Sequence, residues 1–266
     1  ARTIKSLATI CHSTQENNMP NKLCMAVSKI KTDDKLEYNK QLGAEKTYTL
    51  YKSMAEIVQH SAETFIQEDF ETVIFQDEVD SYQQIFHNNF QHVYNEWEKN
   101  GPNNILFLDC DTLVINPVEV FNKFDRFQMF NYTDPKTLSG DDANNKYGLA
   151  HEHYFNAGCR YYPGTMQEEV WELGWKYASD WDYNIWGTEQ IIFNEMMYSQ
   201  DPDVNTWLKP EMNFQAMQVP FQNVDDGNLH AHLERWNGIH MNDANIVHLH
   251  GTRGAANTLL LSLIHI

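Results

Sequence analysis

The chain reads as an α/β protein with a mainly parallel central sheet flanked by helices. Stretches with helical periodicity alternate with short runs of strand length, the pattern of a sheet wound by helical crossovers. One of those runs, Asn104-Ile-Leu-Phe-Leu108, is almost wholly apolar, as a strand buried on both faces must be. Acidic residues follow it at once, where the ligand sites of open α/β sheets gather. At 266 residues the chain is long enough for one large domain or two small ones, and no linker divides it. A single domain over 1–258 is therefore expected.

Taken in order, residues 1–45 are polar and mixed, with a short strand expected around Ile4 to Ile10. From Thr47 to Ile66, Tyr51, Met54, Ile57, Val58 and Phe65 recur at helical spacing and predict an amphipathic helix. Thr72 to Phe75, β-branched and aromatic, predict a strand. Tyr82 to Trp97 carry Ile85, Phe86, Phe90, Val93 and Tyr94 on one side and predict a second helix. Lys99-Asn100-Gly101-Pro102 ends it, and the apolar strand follows. Asn131 to Lys146, rich in Asp, Asn, Ser and Gly, reads as a surface loop or lid. Trp171 to Trp175 and Thr188 to Met197 read as helical, and the last third as site-forming loops. The apolar tail 259–266, Leu-Leu-Leu-Ser-Leu-Ile-His-Ile, is too short to span a bilayer and is assigned no role.

Acidic residues outnumber basic ones 37 to 19, for a net charge of −18. Such a surface repels phosphate backbones and anionic lipid heads, which excludes nucleic-acid or membrane binding through a basic patch. An acidic protein that handles a diphosphate needs a local cation, and a divalent metal supplies one. The aromatic share of 13% suits both cores and sugar-stacking faces. Cys11, Cys24, Cys110 and Cys159 form no Cys-x-x-Cys pair, too sparse for a disulfide scaffold or a four-thiolate zinc site. Buried free thiols and a cytoplasmic location are expected. Residues 1–20 show no apolar stretch behind a basic start that would read as a secretory signal.

The chemistry centres on Asp109-Cys110-Asp111. On an extended backbone, carboxylates at i and i+2 point to one side and can share a divalent cation that also holds phosphate. Asp180-Trp-Asp182 and Asp201-Pro-Asp203 repeat the triplet. The apolar strand before the first, and Leu113-Val114-Ile115 behind it, single it out, because bare carboxylates beside a core are costly. The bland alternative is a capped strand end. Three His-x-His tracts, at His151 and His153, His230 and His232, and His248 and His250, leave a zinc- or iron-type site open. Gly-rich phosphate loops and a Gly-x-Ser-x-Gly elbow are absent.

Two resemblances follow from these residues. Ile105 to Leu113 resembles the first motif of haloacid-dehalogenase-type phosphohydrolases, which implies Asp109 as nucleophile and Asp111 as general acid. The segment is one residue short before Thr112, and Gly140-Asp141-Asp142 lacks the further Asp of that family's later motif. The second covers about 150 residues and resembles the glycosyltransferase-A fold, particularly its glycogenin- and galactosyltransferase-related members. It rests on the strand with its triplet, on Tyr154-Phe-Asn-Ala-Gly158, on Glu189-Gln-Ile-Ile-Phe-Asn194, and on Ile246-Val-His-Leu-His-Gly-Thr-Arg253.

This second resemblance implies a single catalytic domain that moves a sugar from a nucleoside diphosphate sugar, a UDP-sugar in such relatives, to a carbohydrate or glycosylated acceptor. It implies Mn²⁺ or Mg²⁺ held by Asp109, Asp111 and His248, with Asp109 also near the donor ribose. Arg253 would bind diphosphate beside Gly251, and Ala157 and Gly158 would let backbone approach the donor. Asn156, Glu189 and Gln190 would face the reacting sugar. Retention at the anomeric carbon is implied, with Glu189 as a base for inversion the alternative. Ile191 stands where relatives often carry Asp, and Gly254 where they carry Lys. A catalytically inactive, carbohydrate-binding member of the fold is therefore a further reading.

Overall fold

The computed structural model describes residues 19–31, 43–121, 123–131, 155–180, 188–201, 203, 208–215, 239 and 241–249. Strand β1 (Asn21–Ile30) alternates between two cores: Leu23, Met25 and Val27 are buried on one face and Cys24 on the other. Helix α1 (Ala44–Phe65) leads back to β2 (Glu71–Val79), parallel to β1 from Lys22 opposite Glu71 to Ile30 opposite Val79. Helix α2 (Tyr82–Lys99) then crosses to β3 (Asn104–Leu108), which pairs parallel with the other side of β1. Gly101, with φ 86°, takes the left-handed conformation just past the α2 end, where glycine avoids a side-chain clash. Because β2 and β3 lie on opposite sides of β1, the winding reverses between β1 and β3. In open α/β sheets, the crevice outside the carboxyl ends of the strands at such a reversal is where ligands bind.

Short strands β4 (Thr112–Val114), β5 (Gln128–Met129) and β6 (Cys159–Tyr162) follow. Strand β6 pairs antiparallel with β3 and with β5, giving a five-stranded sheet in the order β2-β1-β3-β6-β5. The sheet is thus parallel where helical crossovers build it and antiparallel beyond β3. Helices α3 (Glu168–Asp180) and α4 (Thr188–Gln200) pack together on one face. Finally β7 (Phe214–Gln215) and β8 (Ile246–His248) join β4 in a second, three-stranded sheet, order β4-β8-β7.

Two cores sandwich the main sheet. On the α1 side, Leu23, Met25, Leu106 and Leu108 meet Met54, Val58, Val114 and Val247. On the other side, Ile105 and Phe107 meet Phe90, Val93, Trp171, Phe193 and Met196 of the helices, and Trp171 stacks on Tyr162 at 5.4 Å. Each such large side chain contributes about 1.5–3 kcal/mol on burial, so the sheet is held rigidly from both faces. Cys24, Cys110 and Cys159 are buried free thiols.

Both N-terminal helices, the strand at 72–75, the apolar strand and the two later helices all lie where sequence periodicity puts them. The strand expected at Ile4 to Ile10, residues 132–146 of the expected loop, and the tail 259–266 lie outside the described residues. No helix among the described residues is long and apolar enough to cross a membrane.

Candidate functional site

The chain leaves β3 for the second sheet through Asp109-Cys110-Asp111, and it does so in a turn rather than in extended backbone. The Thr112 N–H and hydroxyl both donate to the Asp109 carbonyl, at 3.1 and 2.8 Å, closing the turn. The Asp109 N–H donates to the Gly158 carbonyl at 2.9 Å and anchors the other side. Cys110 turns inward, its thiol donating to the Ala26 carbonyl at 3.2 Å, and burial pushes its pKa up. With Cys110 inward, the flanking carboxylates stay partly exposed in the crevice.

His248 reaches them through the second sheet. It pairs with Thr112 in the β4–β8 ladder, and Leu249 N–H donates to the Asp111 carbonyl at 2.8 Å. The imidazole Nε2 lies 3.1 Å from Asp111 Oδ1, and Nδ1 lies 2.9 Å from Asn156 Oδ1. That amide oxygen also accepts from the Gly158 N–H at 2.9 Å and from Asn213 Nδ2 at 3.2 Å. Asn156 Oδ1 is therefore an acceptor and Nδ1 carries a proton, which leaves Nε2 as the nitrogen that meets Asp111, and the one that would bind a metal once its own proton is displaced. Burial opposes charge on His248, but the Asp111 carboxylate more than offsets it, so the imidazole pKa lies above the ordinary value. Ligand atoms of Asp109, Asp111 and His248 all fall within 4.8 Å of one another, the one such group found among the described residues. Two carboxylate oxygens and an imidazole nitrogen at that spacing can hold a divalent ion.

The segment Phe155 to Gly158 is tied to α4. Phe155 and Asn194 exchange two hydrogen bonds, N–H to Oδ1 at 2.7 Å and Nδ2 to the carbonyl at 2.9 Å. Gln190 Oε1 accepts from the Ala157 N–H at 3.2 Å and from Asn156 Nδ2 at 3.3 Å. Gly158 lies so close to His248 that a Cβ there would sit 2.1 and 2.4 Å from ring atoms. Next to Gln190, Glu189 has a buried carboxyl oxygen with no hydrogen-bond partner. Burial pushes its pKa up to about 7, and the nearby Asp109 charge adds to the shift. Ile191 is fully buried in the α3–α4 core, so at this position the helix presents a core residue.

The structure thus brings Asp109, Asp111, His248, Asn156, Ala157, Gly158 and Gln190 into one network, with Glu189 at its edge. Arg253 and Gly251 lie outside the described residues, as do Gly254, His151, His153, His230, His232, His250, Asp141, Asp142 and Asp182. Sequence reasoning missed Arg160 and Asn213. Arg160 is buried on β6, its guanidinium 3.8 Å from Asp109. A charged residue next to the Phe-Asn-Ala-Gly segment, in a strand otherwise Cys-x-Tyr-Tyr, was the available signal. Asn213, fully buried, had none in its surroundings.

No protein-family profile matches the chain, and no curated protein matches it. Among solved structures, a glycosyltransferase involved in glycosylation of the major capsid of PBCV-1 aligns with a TM-score of 0.51 at 13% identity, over 91% of this chain and 100% of that one. Mouse xyloside xylosyltransferase 1, in its apo form, aligns more loosely, at a TM-score of 0.45 and 13% identity, over 88% of this chain and 99% of that one. The first alignment establishes the architecture: the chain has a glycosyltransferase-A-like fold.

Proposed function

We propose that the protein is a metal-dependent glycosyltransferase. It takes a sugar from a nucleoside diphosphate sugar, a UDP-sugar by resemblance, and passes it to a carbohydrate or glycosylated acceptor with retention. The observation that carries the reading is the meeting of Asp109, Asp111 and His248 at the carboxyl end of β3, beside the point where the sheet winding reverses, within a glycosyltransferase-type fold.

In this reading Asp109, Asp111 and His248 hold the metal. The imidazole nitrogen in the set favours Mn²⁺ over Mg²⁺, which prefers oxygen donors throughout. When bound, the ion supplies Lewis-acid neutralisation of charge on the leaving diphosphate. Asn156 positions His248, since its amide oxygen is already shared among three donors. Gln190 and Glu189, in the first turn of α4, face the reacting sugar, and the backbone of Ala157 and Gly158 borders it. Arg253 and Gly251 remain assigned to the diphosphate by resemblance.

Thermal unfolding with UDP and Mn²⁺, separately and together, tests this on wild type and Asp111→Ala. A ligand at about 100 times its dissociation constant stabilises by about 2.7 kcal/mol, which raises the melting temperature of a domain this size by several degrees. Stabilisation that needs both components and disappears in Asp111→Ala is the expected result. The absence of any shift with nucleoside diphosphates would overturn the reading. Turnover of the donor without acceptor would rule out an inactive binding member, and NMR of the product's anomeric configuration reads retention directly.

A further inference from the structure

We propose that Arg160 is a resident cation of the site, placed so that the metal ion binds well with the diphosphate and only weakly without it. The inference rests on the nucleotide and metal reading above.

Arg160 is 3% exposed, and in the β3–β6 register it stands opposite Phe107. Opposed residues share a face of the sheet, so its side chain runs under the crevice on the α4 side. Its guanidinium carbon lies 4.2 Å from the Phe107 ring centroid and 4.3 Å from that of Phe193, between two aromatic faces. Phe193 is fixed in α4 one turn beyond Glu189. Held in this way between two rings, the guanidinium stays under the site instead of reaching bulk solvent. Its Nε has no hydrogen-bond partner, so packing alone leaves the group incompletely satisfied.

A buried cation requires a counter-charge. Among the described residues, the carboxylate within ion-pair distance is Asp109, with Arg160 Nη2 at 3.8 Å from its Oδ1, and Asp109 belongs to the candidate metal set. An incoming divalent ion is therefore drawn by two carboxylates and repelled by a fixed guanidinium behind one of them. The Arg160 charge offsets one of the two carboxylates, so the metal set attracts a dication less than it would without the guanidinium. A diphosphate restores the balance, because its oxygens meet the metal and feel the Arg160 charge as well. Binding of metal and nucleotide becomes mutually reinforcing, and linkage makes that reinforcement reciprocal. The competing reading is that Arg160 only fills the gap between two rings.

Isothermal titration calorimetry on the whole chain at pH 8, with Mn²⁺ alone, UDP alone and UDP in saturating Mn²⁺, separates these readings. Wild type should bind UDP at least tenfold more tightly in Mn²⁺. Arg160→Met keeps the volume and removes the charge. It should bind Mn²⁺ alone at least tenfold more tightly and lose at least tenfold of the coupling, while Arg160→Lys stays near wild type. Arg160→Gln, which retains hydrogen-bonding groups, should behave like Arg160→Met. If the uncharged variants bind Mn²⁺ alone no better than wild type and only melt lower, Arg160 is a packing residue and the proposal falls. Uncoupled binding of Mn²⁺ and UDP in wild type also overturns it, without any variant. Failure of wild type to bind UDP even with Mn²⁺ overturns instead the nucleotide-site reading on which it rests.

Discussion

Glu189 has one carboxyl oxygen buried from water and feels the charge of Asp109, so its proton should influence stability. Its folded pKa is raised from 4.5 to about 7 by burial, with the Asp109 charge adding to the effect. Across that interval the folded chain keeps a proton that the unfolded chain releases. The contribution to stability is therefore complete below the unfolded pKa and is lost as pH rises through the folded one. At about 1.4 kcal/mol per unit, the loss between pH 4.5 and 8 is on the order of 3 kcal/mol. Glu189→Gln should remove it, flattening the pH dependence of urea unfolding relative to wild type. Parallel pH profiles for the two proteins would show that the carboxyl group is hydrated or paired. The aspartates and His248 were legible from the sequence because motif and position agree there. Arg160 was not, since burial of a guanidinium depends on Phe107 and Phe193 closing over it from two distant elements.

Between elements, the decisive contact is that of the turn entering β6 with the end of β8. Gly158 is required there for close approach: an added methyl would overlap the His248 ring. Gly158→Ala should lower stability by about 1–3 kcal/mol, the usual cost of overpacking, and should abolish the joint UDP and Mn²⁺ stabilisation. A variant that binds both normally would show that the observed ring position is not the binding one. The same scale shows what sequence patterns conceal. Asn104–Leu108 was legible because nothing polar interrupts its apolar centre. β1 was not, because Lys22, Ser28 and Lys29 break its apolar run. Lys22 is tolerated in the sheet through ion pairs with Glu96 of α2, a partner 74 residues away, and with Glu71 of β2 at 3.6 Å. Likewise Asp109 and Asp111 share the crevice through a turn closed by Thr112, where alternation along a strand was expected.

Over the whole molecule, a net charge of −18 surrounds a site proposed to receive an anion. Long-range repulsion should slow encounter with UDP, and salt should relieve it as the screening length falls from about 30 Å at 0.01 M to about 8 Å at 0.15 M. Stopped-flow association of UDP in saturating Mn²⁺ should therefore speed up several-fold over that range. Slowing would mean that a local positive field dominates the approach. The architecture imposes an order as well. Both aspartates belong to the first half of the chain, but His248 joins them only when β8 has paired with β4. A growing polypeptide on the ribosome thus carries an unfinished set of ligands, and non-local strand pairing of this kind comes late. In the proposed reading, nascent chains are poor scavengers of Mn²⁺, and capture of the ion marks a polypeptide whose fold has closed.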